Sequence, residues 1–167
     1  MINEKDRNAV RIIELPTCKM IWSGVCTDGG SDDAKSAKLK RFNEWWSAHD
    51  KLRRDRFYSR DFMWYDTAAG GLAWGLAVAE IPADTGGYEV INFPGGLYAV
   101  ANYADNDAEG AYTNIKKWVE ESCCFAPDEG RNHLWHGFSC CAETVQPVMG
   151  YYQYDFYFPI HVKEAEQ

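Results

Sequence analysis

The side chains able to do chemistry in this 167-residue sequence are few and stand among rings. His136 lies in Trp135-His136-Gly137-Phe138, and Asp155 lies in Tyr154-Asp155-Phe156-Tyr157-Phe158. A carboxylate bordered by aromatic rings holds a cation through charge and through ring faces, whereas an imidazole with a reference pKa near ~6.5 supplies no fixed negative charge. His136 has two readings: a half-buried strand residue with a backbone partner, or a group that hydrogen-bonds a ligand or acts as a general base. His133 reads as solvated loop. Trp64, Trp74 and Trp135 are individually better suited to a core than to a pocket. Together with 7 Trp and 10 Tyr in a chain that is 15% aromatic, they exceed what such a core needs, so one or two are expected to touch a ligand. Phe138 and Tyr157 join them as expected lining.

Other chemistries lack their patterns. There is no Ser-His-Asp order, nucleophile elbow or phosphate loop. Of the 6 cysteines, Cys18 and Cys26 stand apart and Cys123-Cys124 and Cys140-Cys141 are adjacent pairs; none has zinc-knuckle spacing, and neighbouring residues rarely bridge each other. No metal and no cofactor are expected. The net charge of −8 argues against direct nucleic acid binding. The run Lys38, Lys40, Arg41, Lys51, Arg53, Arg54, Arg56 reads as the solvated face and C-terminal end of a helix. Apolar stretches fall short of the ~20 residues a membrane span needs, and the N-terminus is too polar for a signal peptide, so a cytoplasmic protein with no membrane partner is expected.

The elements that must position these residues follow from periodicity. Strand patterns run from Val10 to about Cys26, and a helix started by Ser31 or Asp32 runs through roughly Leu52, with Leu39, Phe42, Trp46, His49 and Leu52 on one stripe and Trp45 widening it. Strands follow at Asp61–Asp66 and Leu72–Ala79. In the latter, Ala73, Gly75, Ala77 and Ala79 alternate with larger residues, so one face must accept a helix or a ligand close against its backbone. Tyr88 to Val100 reads as a strand, a Pro-Gly-Gly turn and a returning strand. A loop at Asp105-Asn106-Asp107 caps a second helix from Ala108 to near Ser122, with Ala111, Ile115, Trp118 and Val119 on its apolar stripe. Leu134–Ser139 and Tyr151–Phe158 are the last strands, the second stopped by Pro159.

The order of these elements occurs twice. Val10-Arg11-Ile12-Ile13-Glu14-Leu15-Pro16 matches the stretch leading to Phe93-Pro94, which predicts one domain over 1–167 with repeat 1 at about 9–81 and repeat 2 at about 88–162. The expected class is α+β: duplicated strand-helix-strand-strand modules in an antiparallel sheet, two main helices on one face, related by a pseudo-twofold axis. The first strand pair of each half reads equally as one long bent strand. A cleft between the helices is the expected ligand site.

The sequence resembles the GyrI-like small-molecule-binding domains, which are also the effector-binding halves of bacterial multidrug-responsive transcription activators. The resemblance runs from about Val10 to Val162 and is carried by the opening Val10–Pro16, by Trp74-Gly75-Leu76-Ala77-Val78 leading to Phe93-Pro94-Gly95-Gly96-Leu97-Tyr98-Ala99-Val100, by the helix with Trp118, and by Tyr154–Ile160. It implies an aromatic groove between the repeats that holds flat, hydrophobic, often cationic compounds. Drug-binding members read the positive charge with a buried glutamate on the penultimate strand; His136 occupies that place here, and Asp155 can restore the charge if it points into the groove.

Three functions follow as expectations. The first is a stand-alone protein that binds a hydrophobic or cationic small molecule, as monomer or homodimer; residues 1 to 8 leave no room for a DNA-reading domain. The second, also implied by the resemblance, is a hydrolase of strained cyclopropane-type electrophiles with His136 or Asp155 as base. The third is an acidic interaction protein such as a gyrase modulator, ranked last because the acids are scattered among lysines.

Overall fold

The computed structural model describes residues 9–27, 32–49, 61–104, 107–136, 148, 150 and 153–164. Its class is α+β. In chain order the elements are β1 (Arg11–Leu15), β2 (Cys18–Trp22), β3 (Cys26–Thr27), α1 (Asp32–Ala48), β4 (Asp61–Asp66), β5 (Gly71–Val78), β6 (Glu89–Phe93), β7 (Gly96–Ala104), α2 (Ala108–Glu121), β8 (Phe125–Pro127), β9 (Leu134–His136) and β10 (Gln153–Val162). They form two compact units: Met1–Pro16 with Gly95–Gln167, and Thr17–Pro94. The first unit has the antiparallel strand order β1-β7-β10-β9, with β8 pairing the far end of β10. The second has the order β4-β5-β2-β6, with β3 beside β5.

The units share one plan, yet neither coincides with a contiguous repeat. The opening strand of the first half, β1, pairs with β7, and the opening strand of the second half, β6, pairs with β2. The expected strand, turn and returning strand at Tyr88–Val100 is therefore no hairpin. Pro94 ends one ladder and Gly96, at φ 111°, begins another. The same change of unit occurs at Pro16, so the two prolines mark where the chain passes from one unit to the other.

Among the described residues each unit carries one long helix. Along α2, Ala111, Ile115 and Val119 recur on one face and are buried against Ala99, Ala101, Phe156, Phe158 and Ile160. Burying each large apolar side chain here contributes about 1.5–3 kcal/mol. Asp107 caps the helix by accepting from the Gly110 amide at 3.2 Å, and Ser122 ends it, as the sequence predicts. On α1, Phe42 and Trp46 pack on Ile21, Leu76 and Val78, with Trp45 alongside. Its last turn closes at His49, whose Nδ1 lies 2.7 Å from the Trp45 carbonyl oxygen. Ser31 and Leu52, expected at its ends, lie outside the described residues.

Strand β10 does not stop at Pro159 but continues to Val162. Pro159 lies opposite Tyr98 on β7, while its carbonyl accepts from the Asp128 amide at 3.0 Å on the other side. A strand residue directs its N and C=O to the same side, so the missing donor points at the interval between β8 and β9 and leaves the β7 ladder intact. Arg131, which sequence patterns did not single out, fastens this region. Its Nη1 donates to the Gly95 carbonyl at 2.7 Å, Nη2 to Leu97 at 3.0 Å and Ile160 at 2.8 Å, and Nε to Asp128 at 2.8 Å. The guanidinium carbon also sits 4.7 Å from the centre of the Tyr98 ring.

Candidate functional site

Strand alternation sorts the candidate side chains. In the unit containing α2, register places Arg11, Val100, Tyr157 and Leu134 in one row across β1, β7, β10 and β9, and Asn102, Asp155 and His136 in the next. Ile13, Tyr98 and Pro159 make a third row. These rows share the parity opposite to Ala99, Ala101, Phe156 and Phe158, which pack under α2. Asp155, Tyr157 and Tyr98 therefore occupy the face turned away from the helix.

On that face Asp155 is a buried carboxylate held by two donors. Arg11 Nη2 donates to its Oδ1 at 2.7 Å, and the Asn102 side-chain amide donates to the same oxygen. The pair is asymmetric: the Arg11 side chain is 42% exposed and that of Asp155 only 7%. An anion fixed in place is thus neutralised by a cation able to move into water. Tyr98 and Tyr157 meet edge to face beside it, ring centres 6.0 Å apart. Burial pushes the Tyr98 hydroxyl above its ordinary pKa, an effect the Arg131 charge partly opposes.

Trp135 lies on the other face. It stacks on Phe156 at 6.4 Å with planes 7° apart and joins the packing under α2. Adjacent residues on a strand point oppositely, so Trp135 and Asp155 line different surfaces. His136 is placed by backbone register alone, opposite Asp155, and its side chain lies outside the described residues, as does Phe138. His133, read from the sequence as solvated loop, is half-buried against three rings: Phe158 at 4.7 Å, Tyr112 at 5.6 Å and Phe156 at 5.8 Å. It shares the parity of Trp135 just before β9, which the loop-like sequence around it concealed. Burial lowers its pKa from 6.5. The unfolded chain therefore binds a proton more readily, and stability falls as pH drops from neutrality through 6.5 toward the lower folded value. Replacing His133 by Phe is expected to flatten the melting temperature between pH 7 and 5, read by scanning calorimetry.

In the unit containing α1 the two expected tryptophans also separate. Trp74 lies on the helix side, 5.9 Å from Phe42, and its Nε1 donates to the buried Asp61 carboxylate at 3.1 Å. Trp64 lies on the opposite face, parallel to Trp22 with centres 6.1 Å apart. The small-residue face of β5 accepts Trp64 rather than a helix. A Cβ on Gly75 would stand 2.9 Å from Trp64 Cζ3 and 3.2 Å from Met20 Sδ. Gly75→Ala is expected to unstack the Trp22 and Trp64 rings and cost about 1–3 kcal/mol by overpacking; near-UV circular dichroism and denaturant melts check both effects.

No family model and no curated protein matches the sequence. Solved structures do. The EcmrR C-terminal domain superposes with TM-score 0.62 at 12% identity, covering 92% of this chain and 98% of that one. SAV2435 bound to tetraphenylphosphonium gives 0.58 at 12% identity, covering 92% and 94%. A hydrolase encoded by lin2189 from Listeria innocua gives 0.53 at 11% identity, covering 95% and 96%.

Proposed function

We propose that this chain, whose fold is that of the GyrI-like small-molecule-binding domains, binds hydrophobic, planar compounds, cationic ones among them. The site is the face of the β1-β7-β10-β9 sheet turned away from α2, with Tyr157 as a ring partner and Asp155 as the charge that selects a cation. The observation that carries this reading is the Arg11–Asp155 pair, in which a deeply placed carboxylate meets a largely exposed guanidinium at 2.7 Å. A ligand cation displaces Arg11 into solvent, where its charge is well hydrated, and takes over the desolvated carboxylate and the neighbouring ring faces. That a similarly folded protein, SAV2435, has been solved with the lipophilic cation tetraphenylphosphonium supports a hydrophobic cation as ligand, though not planarity, since its four phenyl groups are tetrahedral about phosphorus. His136 joins as an expected hydrogen-bonding residue by its register opposite Asp155. Trp74 and Trp135 pack on the helix side of their strands and belong to no part of this face.

Titrating intrinsic tryptophan fluorescence with tetraphenylphosphonium and with neutral tetraphenylmethane analogues tests the reading. Saturable quenching by the cation at lower concentration than by the neutral compound is expected. No saturable change with either compound removes it.

A hydrolytic role draws support from the hydrolase named among the similar structures. Against it, a base at Asp155 must first give up Arg11 and Asn102, both of which hold the carboxylate as an acceptor. Binding is therefore the favoured activity.

A further inference from the structure

Just beyond α2 the chain presents two thiols apart from the site above. Cys123 and Cys124 are both exposed, with Sγ atoms 3.4 Å apart. Their backbone is fastened on both sides. Ser122 Oγ accepts from the Cys124 amide at 3.2 Å and the Phe125 amide at 3.1 Å, and the Cys124 carbonyl accepts from the Lys163 amide at 2.9 Å. Lys163 Nζ closes the arrangement on the Ser122 carbonyl at 2.7 Å. The dithiol is thus held by the fold rather than offered by a free loop.

Its surroundings choose the guest. The pair follows the C-terminal, negative end of the α2 dipole, which disfavours thiolate anions and favours a bound centre of positive character. Hydrogen bonding to Cys123 holds the Cys124 thiol above its ordinary pKa. Sulfur donors select soft, thiophilic centres. Among the described residues no group of three or more His, Cys, Asp or Glu gathers, so a four-coordinate zinc site or a three-thiolate centre is not completed there. A centre satisfied by two sulfurs remains.

We propose that Cys123 and Cys124 form a chelating site for monosubstituted trivalent arsenicals, R–As(OH)2. Two As–O bonds break and two As–S bonds form; each hydroxide leaves with a thiol proton as water, and arsenic stays trivalent throughout. No oxidant is required, unlike closure of a disulfide between the same neighbours.

The test uses the full chain carrying Cys140→Ser and Cys141→Ser, which removes the other adjacent pair, with phenylarsine oxide as probe. Intact mass is expected to rise by one phenylarsenic group less two hydrogens. The adduct should resist excess 2-mercaptoethanol and be stripped by 2,3-dimercaptopropanol. Adding Cys123→Ser or Cys124→Ser should raise the concentration for half-occupancy about a hundredfold, the loss of an intramolecular second bond, while melting curves show the fold intact. Unchanged occupancy in those variants, no adduct at all, or an adduct that a monothiol removes as readily as a dithiol overturns the assignment.

Discussion

Asp155→Asn is expected to weaken binding of a planar lipophilic cation about tenfold to a hundredfold while leaving a neutral compound of the same shape within about twofold. A unit charge facing another at about 4 Å is worth roughly 4 kcal/mol at the effective dielectric of partly buried sites. Displacing Arg11 from the same carboxylate offsets part of that, which leaves about 1.4–2.7 kcal/mol. The substitution preserves shape, keeps an amide oxygen to accept from Asn102, and leaves Arg11 on a side chain already 42% exposed, so folding is not the expected casualty. Arg11→Ala has the opposite sign: with its built-in competitor gone, Asp155 should bind the cation about threefold to tenfold more tightly. Isothermal titration of the wild type and both variants with the charged and neutral compounds reads all three effects. A loss shared equally by both compounds in Asp155→Asn would mark Asp155 as structural.

Arg131→Ala is expected to have the largest effect on stability. Removing the guanidinium strands three backbone carbonyls and the Asp128 carboxylate that it now satisfies. Each hydrogen bond to a charged group is worth about 1.5–3 kcal/mol, and such terms do not add when one side chain makes them all. A total near 3 kcal/mol lowers the melting temperature by roughly 6–12 °C for a chain of this size. Arg131→Lys should recover little, because one ammonium cannot span acceptors arranged for a planar fork. The acid limb also changes. The hydrogen bond from Arg131 holds Asp128 below its ordinary pKa of 3.8, so this pair stabilises the fold above that pH and its contribution is lost as pH falls through the lower folded value. In Arg131→Ala the acid-unfolding curve below about pH 4 should be shallower. A melting temperature within about 2 °C of wild type would refute the fastening role.

Local signals carried most of the secondary structure. The Ala111, Ile115, Val119 stripe and the Asp107 cap of α2, the Phe42 and Trp46 stripe of α1, and the aromatic run of β4 each depend on neighbours a few residues away. Strand partners were less legible, because pairing is a property of distant segments. Nothing near Pro94 distinguishes a turn from a change of unit, and only the ladders of β6 with β2 and β1 with β7 decide it. Pro159 misled for a related reason: whether a proline ends a strand depends on which side its nitrogen faces, and that is set by β8 and β9.

The site was legible in part. Aromatic excess and a carboxylate among rings pointed to Asp155 and Tyr157, and register brings them to one face with Tyr98. Trp135 and Trp74 could not be assigned a face from composition alone; period-two alternation, anchored by what α2 and α1 cover, turns them away. Arg11 and Asn102 were missed because they lie 144 and 53 residues from Asp155 in sequence. The one available signal was Arg11 as the single cation of the opening strand, whose other charged residue is Glu14.

The most direct test is the crystal structure of the chain with tetraphenylphosphonium bound. The account predicts a phenyl ring against Tyr157, the phosphonium centre near the Asp155 carboxylate, and Arg11 withdrawn from its present 2.7 Å contact. A cation bound elsewhere with that contact intact would contradict it.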